Sequence, residues 1–232
     1  MSDRAKIVMV YASVVLVAVA VIGTSMWIRN SRRAAFQSVG AERPEVLMTL
    51  GKDLVATNQD GEEVRLSDLK GKVWVGLEFF ASCPQCAKRN YTDLLKIYGE
   101  FKDDPNFHLV CITVDPETDG VEELQAYAEA LEADSSNWWF LTGPKEELHR
   151  YLEEEMKFLG IRERVDPEAI ALEGRYAHDL GLELFRPGWE MIDKTDLAWA
   201  AQQSPEMHAQ LYAEFRAKIS KELAKLRADS TP

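Results

Sequence analysis

The chain has 232 residues, of which 46% are hydrophobic and 28% charged, a composition typical of one folded domain with accessory segments. Its formal net charge of −12 argues against nucleic acid as a partner, because nucleic-acid binding needs a basic surface. Three cysteines are too few for a disulfide scaffold. Composition therefore indicates a folded protein but does not identify its function, which has to be inferred from particular residues.

The first element is an uncharged apolar run, residues 7–28. A helix needs roughly 20 apolar residues to cross the core of a bilayer, and this run supplies them. We therefore predict a short tail (residues 1–6), a transmembrane anchor (7–28) and a polar linker (29–46), with a cleaved signal peptide as the alternative. Basic residues lie on both sides of the run, so charge does not determine the orientation of the anchor.

Beyond the linker, strand patterns alternate with helix patterns. An Asp60-Gly61 turn between short strand-like runs predicts a hairpin. Apolar strands separated by amphipathic helices follow, and another hairpin closes around Pro187-Gly188. This order favours an α/β fold, a mixed central sheet flanked by helices, over residues 47–200. The predicted strands are 73–80, 107–114 and 138–141, and the predicted helices are 92–101, 122–131 and one that starts at 143–144.

Two further segments lie outside this alternation. Residues 159–175 show no periodicity, and we interpret them as a long loop or an insertion. Residues 204–228 carry an apolar stripe at helical spacing and predict a C-terminal amphipathic helix. The stripe packs either on the domain or on a partner, and the sequence does not distinguish the two.

Cys83 and Cys86 lie between the strand at 73–80 and the helix that follows it. A thiol at the beginning of a helix meets unpaired N–H groups and the positive end of the helix dipole, which favour the thiolate. Cys86 lies three residues after Cys83, so both sulfur atoms face the same side of the first turn. The pair either cycles between dithiol and disulfide, as in thioredoxin-like proteins, or supplies two sulfur ligands to a metal ion.

The third cysteine, Cys111, lies in the apolar run FHLVCITV, which predicts a buried small hydrophobic residue. The loop that contains Asp115, Glu117 and Asp119 could bind a hard cation, but a solvated turn with a helix cap at Asp119 or Gly120 is the preferred interpretation. Structural roles are also expected for three histidines on a predicted strand and two predicted helices, namely His108, His149 and His208.

Four segments together resemble the Sco/SenC family, the thioredoxin-fold copper proteins that help to assemble the copper centre of cytochrome c oxidase. They are VRLSDLKGKVWVGLEFFASCPQC, ITVDPETDGVEELQAYAEAL, WWFLTGPKEELHRY and RYAHDLGLELF. The resemblance implies a thioredoxin-like fold and copper held by Cys83, Cys86 and His178. It also implies an N-terminal membrane anchor with the domain on the periplasmic or extracytoplasmic side, and a role as metallochaperone or thiol reductase. The partner would be a copper-receiving oxidase subunit or another copper or thiol protein.

The cysteine spacing departs from the family pattern, because two residues separate the cysteines here and three usually do in the family. Two is the spacing of thiol–disulfide oxidoreductases, so a membrane-anchored oxidoreductase without metal is the alternative. Those enzymes usually carry a cis-proline in the loop opposite the cysteines, where this chain has Tyr176-Ala177-His178. A thiol peroxidase is disfavoured, since no threonine and arginine set surrounds a single cysteine.

Overall fold

The computed structural model describes residues 23–24, 45–82 and 91–229. Residues 46–232 belong to one unit, and its described part contains a mixed sheet with helices on both faces. The strands are β1 (Met48–Thr49), β2 (Val55–Thr57), β3 (Glu63–Arg65), β4 (Val73–Phe79), β5 (Phe107–Thr113), β6 (Trp138–Leu141), β7 (Arg162–Glu163), β8 (Tyr176–Ala177), β9 (Leu182–Arg186) and β10 (Glu190–Thr195). The helices are α1 (Tyr91–Phe101), α2 (Val121–Ala130), α3 (Lys145–Glu154), α4 (Pro167–Glu173), α5 (Leu197–Gln203) and α6 (Pro205–Asp229).

The main sheet has the strand order β1-β10-β9-β4-β5-β6. Strands β4, β5 and β6 run parallel to one another, whereas β9 lies antiparallel to β4 and forms a hairpin with β10. Every residue of β4 and β5 is buried, as expected for central parallel strands that are covered on both faces. The alternation of strands and helices therefore produced the mixed α/β sheet that the sequence predicted.

Each face of the sheet has its own apolar core. The first contains Trp74 and Phe185, whose rings stack at 3.9 Å between centroids, together with residues of α3. The second lies under α1, α2, α5 and α6. A charged side chain on the central strands β4 and β9 can therefore lie inside the protein, as those of Glu78 and Glu183 do.

Most predicted elements are confirmed, with boundaries shifted by one or two residues. Helix α5 was not predicted. It is short, its first turn is capped by Asp196, which accepts the Trp199 N–H at 2.7 Å, and it buries Leu197, Ala198 and Ala200. A seven-residue helix presents too few turns for its periodicity to stand out from a loop.

The C-terminal helix packs on the domain, which settles the question that its apolar stripe left open. Phe215, Ile219 and Leu223 of α6 are fully buried in the second core. No helix within the described ranges combines the length and apolar character needed to cross a membrane. The predicted anchor, residues 7–28, lies outside those ranges except for Gly23 and Thr24, so it remains a prediction.

Candidate functional site

The site is built at the carboxyl end of β4. Phe80 and Ala81 continue from the strand and lie within the described residues, whereas the loop at 83–90, with Cys83 and Cys86, lies outside them. The positions of the two sulfur atoms are therefore not part of the structure described here, and their role as a dithiol or as ligands remains a prediction. Helix α1 (Tyr91–Phe101) comes after this loop in the chain.

His178 lies at this same end of β4, although it is distant in sequence. Strand β8 leads directly to it, and the Asp179 N–H donates to Glu78 Oε2 of β4 at 2.8 Å. The His178 side chain is only 4% exposed, and its ring meets the edge of Phe80 with 5.6 Å between centroids. The fold thus brings the predicted histidine ligand beside the residue that begins the cysteine-containing loop.

The His178 ring is held in one tautomer. Its Nδ1 lies 2.7 Å from the backbone carbonyl oxygen of Asp179, and because a carbonyl only accepts, Nδ1 carries the hydrogen. A neutral ring of this kind has its lone pair on Nε2. Burial lowers the pKa of His178 below its usual value, which favours the neutral form that binds metals. The described part of the predicted donor set therefore fits a metal ligand.

The sequence analysis did not predict the cluster of ionisable side chains that lies next to this histidine. Glu78, Glu183 and Lys194 lie on neighbouring strands, and Asp179 lies in the loop above them. Lys194 Nζ is 2.9 Å from Asp179 Oδ2 and 3.0 Å from Glu183 Oε1. The signal was present in the sequence, because a glutamate interrupts each of two otherwise apolar runs, VWVGLEFF and LELF.

The acidic loop is not the solvated turn that we predicted. Asp115 and Asp119 are buried, and Asp119 Oδ2 accepts hydrogen bonds from Ala81 N at 3.0 Å and Thr113 Oγ at 2.5 Å. The expected cap is confirmed at Gly120, which precedes α2. The sequence could not show the burial, because it depends on the β4 loop lying against this turn. Asp119 thus fixes the residue from which the cysteine-containing loop departs.

Substitution of Asp119 by alanine should lower the free energy of unfolding by about 1–3 kcal/mol, because Ala81 N–H and the Thr113 hydroxyl then lose a buried acceptor. Chemical denaturation monitored by circular dichroism would measure the loss. Glu117→Gln, which changes an exposed carboxylate of the same loop, is the control and should unfold like the wild type. Equal stability of the two variants would contradict the anchoring role of Asp119.

Residues 159–175 contain secondary structure and are tied to the site by two arginines. The Arg164 guanidinium donates to the carbonyl oxygens of Gly174 and Tyr176, and Arg175 contacts Glu163, Asp115 and Glu117. Strand β7 and helix α4 lie within this segment, and β7 pairs with β8, which follows directly after it. Three of its apolar side chains point outward, since Leu159, Val165 and Leu172 are 72%, 93% and 66% exposed, whereas Ile161 packs against the first core.

The remaining candidate residues have structural roles, as predicted. Cys111 is 2% exposed, and Trp138 Nε1 lies 3.3 Å from its sulfur. His108 is buried in β5, His149 Nε2 bonds to the Val114 carbonyl oxygen, and His208 Nε2 lies 2.6 Å from Asp93 Oδ2. Within residues 45–82 and 91–229, no three histidine, cysteine, aspartate or glutamate side chains are grouped to hold a metal ion.

Cys111 should be unreactive in the folded protein, because burial raises the pKa of its thiol to about 12. In a Cys83→Ser/Cys86→Ser variant, we expect no labelling by iodoacetamide at pH 8 under native conditions and one label per chain in denaturant. Mass spectrometry would count the labels. Rapid native labelling would show that this thiol is accessible and would have to be considered in any measurement of metal binding.

Sequence comparisons match this chain to one family model and to a curated relative. The SCO1/SenC family model matches residues 44–204. A SCO1 protein homolog of Bacillus subtilis strain 168 is 31% identical over 87 residues, which are 37% of this chain and 45% of that protein. The chain thus matches less than half the length of this curated relative.

Structure comparisons agree on the fold. BsSco, described as a member of the Sco family of cytochrome c oxidase assembly proteins with a disulfide switch, is 20% identical with a TM-score of 0.58, over 79% of this chain and 98% of that chain. Copper-bound ScoI of Arabidopsis thaliana is 18% identical with a TM-score of 0.57, over 74% and 99% of the two chains. These likenesses confirm the predicted thioredoxin-like fold.

Proposed function

Because the chain belongs to the SCO1/SenC family, we propose that it binds copper through Cys83, Cys86 and His178 and acts in the assembly of the copper centre of cytochrome c oxidase. Two structures support the proposal by analogy, the copper-bound ScoI and BsSco, a cytochrome c oxidase assembly protein. Two thiolates and one imidazole form a donor set that suits copper.

One observation in this chain carries the proposal. The His178 ring is buried at the carboxyl end of β4, and its Nδ1 donates to the Asp179 carbonyl oxygen at 2.7 Å. Histidines that bind metals almost always donate their other ring N–H to a carbonyl or carboxylate, which fixes the tautomer and the ring orientation. The same contact with a backbone carbonyl therefore favours a ligand at Nε2.

The proposal also includes where the chain acts and what it does to the receiving site. The apolar run at 7–28 would anchor the chain in a membrane, with the domain on the periplasmic or extracytoplasmic side, where it would meet a copper-receiving oxidase subunit or another copper or thiol protein. The chain would act either as a metallochaperone or as a thiol reductase of the receiving site. Both roles use the thiolates of Cys83 and Cys86.

The second candidate is a membrane-anchored thiol–disulfide oxidoreductase that works without metal. The two-residue spacing of Cys83 and Cys86 favours it, because that spacing is typical of such enzymes. In that case Cys83 would attack the substrate disulfide and Cys86 would resolve the mixed disulfide, leaving the pair oxidised and the substrate reduced. His178 would then have no role in ligation.

Copper titration of the reduced full-length chain in detergent separates the two candidates. We expect about one copper per chain, and an affinity for Cu(II) at least tenfold weaker in His178→Ala, as removal of one of three ligands implies. Absorption spectroscopy and metal analysis would measure binding. His208→Gln is the matched control, because it keeps a donor toward Asp93 on the opposite face of the sheet.

Two results would contradict the proposal, and a third would strengthen it. Equal Cu(II) affinity of wild type and His178→Ala would remove His178 from the donor set. No stable copper complex, combined with reduction of insulin disulfides, would favour the oxidoreductase. Loss of Cu(II) affinity in His178→Ala together with an unchanged dithiol reduction potential would support ligation rather than a general effect on the cysteines.

A further inference from the structure

Four ionisable side chains form a group on the first-core face of the sheet, next to His178, and of these only Lys194 is partly exposed. Glu183 of β9 pairs in register with Gly76 of β4 on one side and with Lys194 of β10 on the other. Glu78 lies two residues after Gly76 on the same face of β4, and Asp179 approaches from the loop. Both glutamates are buried, and Asp179 is 8% exposed.

Asp179 is the centre of this group, because each of its polar groups has a partner. Its N–H donates to Glu78 Oε2 at 2.8 Å, and its carbonyl oxygen accepts from His178 Nδ1. Oδ1 accepts the Gly181 N–H at 2.8 Å, and Oδ2 accepts the Leu159 N–H at 3.1 Å. The orientation of the peptide that contacts His178 is therefore determined by what holds Asp179.

Lys194 is the cation that links Asp179 to the sheet. Its Nζ lies 2.9 Å from Asp179 Oδ2, 3.0 Å from Glu183 Oε1 and 3.3 Å from the Lys157 carbonyl oxygen. The ammonium also lies 4.3 Å from the centre of the Phe158 ring. One side chain thus joins β9, β10, the two residues before the segment 159–175 and the residue after His178.

We propose that Lys194 is a positioning residue which, by holding Asp179, fixes the tautomer and the orientation of the His178 ring. Without the ammonium, the Asp179 carboxylate would face Glu78 and Glu183 with no cation between them. A buried carboxylate without a cation beside it is strongly disfavoured, because it has lost its hydration and nothing compensates its charge. Asp179 would shift, and its carbonyl oxygen would leave Nδ1 of His178.

The inference rests on the proposed function only where copper is concerned, so its main test uses the metal-free protein. Nitrogen-15 NMR of the histidine rings in the reduced full-length chain should show His178 as the Nδ1–H tautomer in the wild type. Lys194→Met should give a mixture of tautomers, and Lys194→Arg should restore the single one. Under the proposed function, Cu(II) affinity should also fall about 10- to 100-fold in Lys194→Met and recover in Lys194→Arg.

A matched control exists on the opposite face of β10. Lys218 Nζ lies 2.8 Å from Oδ2 of the buried Asp193, so Lys218→Met breaks a similar ion pair without touching the group around His178. We expect the wild-type tautomer and the wild-type Cu(II) affinity in that variant. A general loss of stability would affect both methionine variants, whereas the NMR signature would separate them.

The outcomes distinguish this inference from the proposed function. An unchanged His178 tautomer in a folded Lys194→Met variant would overturn the positioning role, whatever the copper affinity. A wild-type chain that binds no copper while the tautomer still depends on Lys194 would overturn the proposed function and leave the positioning role supported. If Lys194→Met does not fold, Lys194→Gln replaces it, since glutamine suits a partly exposed position and removes the ammonium. A wild-type tautomer there would count against the inference.

Discussion

Deletion of residues 205–232 should abolish the cooperative thermal unfolding of the domain. Helix α6 places Phe215, Ile219 and Leu223 in the second core, each fully buried against the sheet and its helices. Truncation of one such side chain costs about 2–5 kcal/mol, so loss of all three approaches the whole stability of a domain, about 5–15 kcal/mol. Circular dichroism and binding of a hydrophobic dye would report the change.

Single substitutions on α6 provide the graded control. Phe215→Ala should lower the free energy of unfolding by about 3–5 kcal/mol. Leu211→Ala, at a half-buried position of the same helix, should cost about 1 kcal/mol. The exposed ion pairs of α6 with α1, such as Arg216 with Glu100, should contribute little. A truncated chain that melts like the intact one would show that α6 is dispensable for the fold.

Replacement of Glu183 by glutamine should remove part of the loss of stability that the wild type shows as pH rises from about 5 to 8. The other part comes from Glu78, since burial raises its pKa to about 8 as well. Burial raises the pKa of Glu183 from 4.5 to about 8, because one nearby ammonium, Lys194, does not offset the loss of hydration. Between these values the folded state holds a proton that the unfolded state has released. Stability is therefore full below pH 4.5, falls as pH rises toward 8, and changes no further above it.

The glutamine variant should consequently gain stability relative to wild type above pH 8, on the order of a few kcal/mol. Denaturation at pH 5, 6.5 and 8.5 would measure the two slopes. Glu190→Gln is the control, since Glu190 of β10 is partly exposed and pairs with Arg186. Parallel pH dependence in wild type and Glu183→Gln would mean that Glu183 is ionised in the folded protein.

The main strands and helices could be predicted from local patterns because their apolar signals are long. The apolar runs at 73–80 and 107–114 are too continuous for surface strands, and only a sheet covered on both faces buries them. The short elements were missed, among them α4 and α5, because seven residues give too little periodicity. Their formation depends on capping carboxylates, Asp166 and Asp196, and on neighbours that the sequence does not identify.

The sequence by itself determined which reactive side chains the protein has. They are two cysteines at a strand–helix turn and a histidine in a late loop, in an order that resembles the Sco/SenC family. Only the tertiary structure decided that His178 lies against Phe80 and that Asp119 holds Ala81. The reason is that these contacts join residues far apart in the chain, so they exist only after β4, β5 and β9 have paired. The burial of ionisable side chains next to His178 also depends on the tertiary structure. A side chain on a strand is buried only if another element packs against that face of the sheet.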